Sequence, residues 1–325
     1  MRIGLSRSIQ SKILLAILSI AVPLHGQDAP LLQPESGFED KVSVAYILVP
    51  VIARSPVGYA QDLVKEDFQL QVDGQPVEFD SFEVGATAPV SVIFLQDLSG
   101  SMANADKLAL SRLAIEQLLS GARTGDQFAL ASFADGKLSL DIPYSDDPDL
   151  IDKALPLWSP YGVTGLHDAV SGLPELTRNR QSAKRAAILI TDGADNASEL
   201  SPTEARTRVR QAELPVYVLG LSTGSPDILD RDGKKLHRYA DVLNLLAHLS
   251  GGQYFWVSSP DDAIMAARTI ASDLRHQYVL GFSTSDTGTQ QYRELEVTTH
   301  RKKVRLTFRR GYEGPPPRVR VPLDP

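Results

Sequence analysis

The stretch "VSVIFLQDLSGSM", residues 90 to 102, decides the reading of this chain. Its first half is apolar without regular polar alternation, as a strand buried on both faces of a parallel sheet requires. The run then stops at Asp97, Ser99 and Ser101 around Gly100, which sets one carboxylate and two hydroxyls at the end of a buried strand. In an open α/β sheet, ligands bind beyond the carboxyl ends of the strands, next to the point where strand order reverses.

Working outward, short apolar runs alternate with amphipathic stretches of helix length. "KLALSRLAIEQLL" (107–119) comes first, then "QFALASF" (127–133) and an irregular part, then "RAAILITD" (185–192) with "PTEARTRVRQAE" (202–213). "PVYVLGLS" (215–222) precedes "ADVLNLLAHLS" (240–250), and "QYFWV" (253–257) precedes "DDAIMAARTIASDLRHQ" (261–277). Strand and helix repeated in this way predict an α/β domain over residues 88–276, with a mostly parallel central sheet flanked by helices on both faces.

The flanks have a different texture. Residues 27–87 contain β-branched runs, the alternation of "FQLQV" (68–72) and an Asp73-Gly74 pair suited to a tight hairpin turn. Residues 277–313 return to strand texture. There Val304, Leu306 and Phe308 alternate with Lys303, Arg305, Thr307 and Arg309, which reads as a half-buried edge strand with a solvated basic face. The two flanks are expected to pair as one small β-sandwich-like unit. Pro315 to Pro317 lie in a tail, 314–325, that is not expected to pack. Between Ser222 and Tyr239 an insertion carries "DRDG". It lacks the acids that a calcium loop needs at Ile228 and Tyr239, so a surface hairpin turning at Asp232-Gly233 is expected.

Residues 1–26 hold Arg2, Arg7 and Lys12, an apolar stretch from Ile13 to Val22, then Pro23 and Gly26. This is the layout of a secretory signal peptide, with an uncleaved N-terminal anchor as the alternative. The expected location is secreted or periplasmic, with no transmembrane domain in the mature chain. The formal charge is -7. A chain with 33 basic against 40 acidic residues lacks the basic face that nucleic acid demands, so nucleic acid is excluded as the main partner. No cysteine is present, which excludes disulfides, thiolate metal sites and a cysteine nucleophile.

The candidate site gathers from strand ends. Asp97, Ser99 and Ser101 follow one apolar run, Asp192 in "ILITDGADN" follows another, and Thr164 in "SPYGVTGLHDAV" stands just before a helix starting near Leu166. Two carboxylates and three hydroxyls make an all-oxygen donor set suited to a hard divalent cation. Mg2+ is the first expectation, with Mn2+ and Ca2+ as alternatives. The competing reading is that Asp97, Ser99 and Ser101 only cap a helix and close a turn.

Together "DLSGS", "TGL" and "TDG" resemble the metal-ion-dependent adhesion site of von Willebrand factor A domains. Asp97, Ser99, Ser101, Thr164 and Asp192 match its five ligand positions. The resemblance implies a Rossmann-like fold in which Ser99, Ser101 and Thr164 touch the ion while Asp97 and Asp192 act directly or through water. "LVKEDFQLQVDGQPVEFDSFE" and "YRELEV…KKVRLTFRRGY" on either side resemble the secreted bacterial VWFA-related family of the acidobacterial type. The "DRDGKKLHRY" insertion departs from that pattern.

The function that the resemblance implies is a metal-dependent, adhesion-type protein-binding module, whose partner presents an acidic side chain to the ion. Two alternatives stand beside it: a metal-dependent hydrolase, and a scaffold in which the ion only locks loops. The hydrolase reading has little support. His167 is the one histidine near the site, and no G-x-S-x-G, H-E-x-x-H or Walker sequence occurs. A non-enzyme is therefore expected. Trp158 and Tyr161 either contact a partner or seal their loop. Asp168 is expected to support its own helix start, and Asp195 and Asn196 either line the rim of the site or, the first expectation, serve as turn residues.

Overall fold

A computed structural model describes residues 46–84, 88–104, 106–177, 182–221, 239–284, 291–314 and 317. The expected signal peptide (residues 1–26), the hairpin expected at Asp232-Gly233 and most of the Pro-rich tail lie outside the described residues. Among the described residues no helix is long and apolar enough to cross a membrane.

Fifteen strands and seven α-helices are described. The strands are β1 (Tyr46–Ser55), β2 (Gly58–Tyr59), β3 (Phe68–Val72), β4 (Gln75–Val77), β5 (Ser81–Glu83), β6 (Val90–Asp97), β7 (Gln127–Ala134) and β8 (Lys137–Ser145). They continue as β9 (Lys184–Thr191), β10 (Val216–Leu221), β11 (Tyr254–Val257), β12 (Gln277–Ser283), β13 (Gln291–Thr299), β14 (Arg305–Phe308) and β15 (Gly311–Gly314). The helices are α1 (Lys107–Leu119), α2 (Asp149–Ala154), α3 (Leu166–Ser171), α4 (Leu173–Leu176), α5 (Pro202–Gln211), α6 (Tyr239–Ser250) and α7 (Pro260–Arg275).

The central sheet has the order β11-β10-β9-β6-β7-β8 and is parallel except for β8. All eight residues of β6 are buried, because helices cover both faces of the sheet. Side chains alternate between two cores with the period of a strand. Val92, Phe94, Ile188, Ile190, Tyr217 and Leu219 face the core closed by α1 and α7. Ile93, Leu95, Ala187, Leu189 and Val218 face the core closed by α3, α5 and α6. Serines start two of the helices: Ser201 forms a capping box with Glu204 ahead of α5, and the Ser259 side chain accepts the Asp262 N–H ahead of α7. The irregular part expected after "QFALASF" begins instead with the exposed edge strand β8. Leu138 and Leu140 in it escape notice because neither is packed away.

Strands from both flanks of this domain pair with one another. β1 runs antiparallel to β12 from Tyr46↔Ser283 to Ile52↔Gln277 and also pairs with β14. β3 runs antiparallel to β13 and folds back on β4 through Asp73 and Gly74, both at positive φ (51° and 75°). Val49, Val51, Leu280 and Phe282 of one sheet face Phe68, Leu70, Leu295 and Tyr312 of the other across a third core. β14 is the edge of its sheet, and Phe308 is its buried member. Near the chain's end Pro317 makes an isolated bridge with Thr284.

These sheets adjoin the α/β domain at the amino ends of its parallel strands. There Asp273 of α7 takes Arg54 of β1 and, at 2.6 Å, the Tyr59 hydroxyl of β2, and Tyr59 stacks on His276 at 4.3 Å. Arg210 at the end of α5 lies over the Tyr292 ring of β13 at 4.3 Å. The carboxyl ends of β6 and β9 point the other way, and this placement frees the end of the domain where the candidate site lies.

Candidate functional site

β6 has β7 on one side and β9 on the other, so strand order reverses at β6 and a crevice opens beyond the ends of β6 and β9. The register pairs Gln96 with Ile190, which brings Asp97 and Thr191 side by side at that crevice. Thr191 donates its hydroxyl to Asp97 Oδ2 at 2.7 Å, and the Ser99 N–H donates to Asp97 Oδ1 at 2.8 Å. Asp97 is thus fully buried and held on both oxygens. Burial raises its pKa above the ordinary carboxylate value. Hydrogen bonds from Thr191 and Ser99 oppose this rise, and the nearby Asp192 charge adds to it.

Beyond Asp97 the chain makes a short 3-10 turn, Gly100–Ala103, that brings the Ser99 and Ser101 hydroxyls within 3.2 Å of each other. Gly100 does not need positive φ there. A Cβ at Gly100 would lie 3.2 Å from the Gly162 carbonyl, which accepts the Gly100 N–H at 3.0 Å. The Tyr161 N–H donates in turn to the Leu98 carbonyl at 2.8 Å, so the loop carrying Thr164 is laced to the loop after β6.

The same loop is tied on its other side to the segment after β9. The Thr164 N–H donates to Asn196 Oδ1 at 2.9 Å, and the Thr164 carbonyl accepts the N–H groups of Asn196 and Ala197. Thr164, buried itself, therefore bridges the loops that carry Ser99 and Asp192. Asp195 is more than a turn residue. Its Oδ1 accepts the Leu166 N–H at 2.9 Å and the Ser198 hydroxyl at 2.6 Å, and its Oδ2 lies 2.9 Å from His167 Nδ1. Asp168 stands in the first turn of α3, as a charge favourable to that helix end would, and has a second role. It accepts the N–H groups of Glu199 and Leu200, both at 2.9 Å, and so fixes the loop that follows Asp192. Trp158 packs against the core, whereas Tyr161 is 49% exposed beside the site.

Two residues that the sequence reading missed belong to the cluster. Thr191 was hidden as the last residue of an apolar run, although a hydroxyl beside a strand-end aspartate was the available signal. Lys107 left only its charge as a signal, at the start of an amphipathic helix. In the structure its ammonium is buried, 2.7 Å from Asp192 Oδ2 and 3.1 Å from the Ser101 carbonyl.

Among the described residues no three His, Cys, Asp or Glu side chains cluster as a metal site would need if it were built from those residues alone. The set here is of another kind, neutral hydroxyls with two carboxylates behind them, and its chemistry suits a hard cation that keeps part of its water. Ser99 and Ser101 would hold such an ion from the Asp97 side and Thr164 from the bridging loop. Asp97 and Asp192, whose oxygens are already engaged, would supply charge from behind.

The family described as von Willebrand factor type A domain matches residues 92–194. No curated protein matches the chain. Solved structures similar to it include an aerotolerance-related membrane protein from Bacteroides fragilis NCTC 9343 carrying multiple mutations to serines. It is 24% identical, with 56% of this chain and 98% of that chain covered and a TM-score of 0.44. The vWF domain of the type V pili tip protein Mfa5 from Porphyromonas gingivalis is 13% identical, with coverage of 57% and 95% and a TM-score of 0.45. A von Willebrand factor type A protein from Catenulispora acidiphila is 11% identical, with coverage of 82% and 71% and a TM-score of 0.47. With the match at residues 92–194 and a parallel sheet whose order reverses at β6, this chain carries a von Willebrand factor type A domain.

Proposed function

We propose that the protein is a secreted or periplasmic, divalent-metal-dependent protein-binding module of the adhesion type. The observation that carries this reading is the pair of hydroxyls, Ser99 and Ser101, 3.2 Å apart at the switch point of the sheet with Asp97 and Asp192 beside them. Mg2+ is the expected ion, with Mn2+ or Ca2+ as substitutes. When bound it would supply an electrophilic position for a carboxylate from a protein partner. The chain's own residues do the rest. Ser99, Ser101 and Thr164 orient the ion without neutralising it, and Asp97 and Asp192 offset part of its charge. Tyr161 and Val163, 49% and 44% exposed on the loop beside Thr164, offer apolar contact around that position.

We assign the protein no catalytic role. His167, a histidine beside the site, has Nδ1 engaged by Asp195 and is buried at the start of α3. The pilus tip protein above and a pilus adhesin, SpaC from Lactobacillus rhamnosus GG, share the fold, but the functional reading rests on the donor set.

Calorimetric titration with Mg2+, Mn2+ and Ca2+ tests the proposal, on the protein and on Asp97→Ala and Ser101→Ala. Asp97 also ties β6 to β9, so Ser101→Ala is the variant that leaves the fold intact. Cation binding lost in Ser101→Ala, with a carboxylate-bearing peptide mixture retained only in the presence of metal, is the expected result. Absence of cation binding by the unaltered protein refutes the proposal.

A further inference from the structure

The ammonium of Lys107 touches the proposed cation site on two sides, at Asp192 Oδ2 (2.7 Å) and at the carbonyl of Ser101 (3.1 Å), with its side chain only 10% exposed. Burying a lysine is costly because an ammonium is strongly hydrated. A buried ion pair is also weak as a device for stability, since an apolar pair of similar volume does as well or better. A second feature of the backbone points to the same residue. Asp106, immediately before Lys107, is held at φ 57°, a left-handed conformation that costs a non-glycine residue about 1 kcal/mol. The chain accepts that strain at the entry to α1, and the helix then begins with Lys107 aimed at Asp192. Strain of this sort persists where the surrounding structure has a use for it.

We propose that Lys107 is a built-in counter-charge that sets the character of the site, an inference that rests on the metal-binding reading above. Asp97 and Asp192 carry two negative charges and Lys107 one positive. A divalent ion added to these three groups leaves a net charge of +1, which an incoming carboxylate cancels. Without Lys107 the loaded site would be neutral, and the same carboxylate would leave it negative. Lys107 therefore weakens cation binding by sharing Asp192 with the ion, and strengthens the hold of the loaded site on an anionic partner group. It is a positioning residue for charge and is not itself a ligand.

The test compares the unaltered protein with Lys107→Met, Lys107→Gln and the charge-keeping Lys107→Arg. Three measurements are made on each: calorimetric titration with Mn2+, titration of the Mn2+-saturated protein with acetate, and thermal melting in EDTA. Both neutral variants are expected to bind Mn2+ on the order of tenfold more tightly and acetate several-fold more weakly, with Lys107→Arg staying within about twofold of the unaltered protein. Lys107→Gln keeps a donor for the Ser101 carbonyl and serves if Lys107→Met does not fold. A purely structural lysine would lower the melting temperature in EDTA and leave Mn2+ affinity unchanged. That pattern overturns the inference while the metal-binding reading stands. No Mn2+ binding by any of the four proteins overturns both.

Discussion

Replacing Asp273 with Ala removes the acceptor shared by Arg54, Tyr59 and Tyr217 at the junction between the α/β domain and the paired flanking strands. The carboxylate is 1% exposed, and burial raises its pKa above the ordinary value even though Tyr59 and Arg54 oppose the rise, so its charge is not fully compensated. Each buried donor left without a partner costs about 1–3 kcal/mol, and a fully buried ion pair losing one member costs about 3–5 kcal/mol. Both figures need discounting here. Arg54 keeps 34% of its side chain exposed and regains water, so it counts for about 1 kcal/mol. Tyr217 is fully buried, but its contact with Asp273 is long at 3.4 Å, so it also counts near the lower limit, and Tyr59 adds a similar amount. The expected loss is about 3 kcal/mol, or a fall in melting temperature of about 6–10 °C for a chain of this size. Urea denaturation followed by circular dichroism measures it. The double variant Arg54→Met with Asp273→Leu removes both charges together and should recover Arg54's share, leaving a deficit of about 2 kcal/mol from the Tyr59 and Tyr217 hydroxyls. A single-variant loss below 1 kcal/mol, or a double variant no more stable than the single one, would refute the reasoning.

Gly162→Ala should cost about 2 kcal/mol or more and weaken cation binding, because Gly162 sits at φ +65° and a Cβ would fall 2.6 Å from that of Asp135. The control is Gly136→Ala at φ +69° with nothing within 4 Å, which should cost about 1 kcal/mol, and equal losses in urea would sink the argument. Lys184 supplies a pH test: burial pulls its ammonium down to about 8 against the attraction of Glu83, with repulsion from Arg275 adding to the fall. Above that value the unfolded chain holds more protons than the folded one, so this group makes stability rise with pH from about 8 to 9.5, by at most about 2 kcal/mol. Lys184→Met should flatten that rise in denaturation curves measured across the interval, and an unchanged slope would show that Lys184 is not its source.

The alternation of "VSVIFLQ" and its successors with amphipathic stretches was enough to read the α/β architecture, because burial on both faces of a parallel strand leaves a composition that no other element needs. The helices α1, α5, α6 and α7 were legible for a related reason: each has one apolar face, and α5 and α7 also carry serine caps. β8 was not legible, since an exposed edge strand has no burial to enforce a pattern. Asp97, Ser99, Ser101, Thr164 and Asp192 could be singled out because each stands at a strand end or a helix start, positions that follow from chain order alone. What those residues meet could not be read in this way. Thr191 on Asp97, Asn196 on Thr164, Asp195 on His167 and Lys107 on Asp192 are contacts between segments up to 94 residues apart, fixed by the order in which the strands lie side by side. Sequence determined which groups stand at the ends of elements, because hydrophobic periodicity is a local property. Only the tertiary structure decided their partners, because hydrogen bonds and ion pairs depend on distances of a few ångströms between strands that the chain visits far apart.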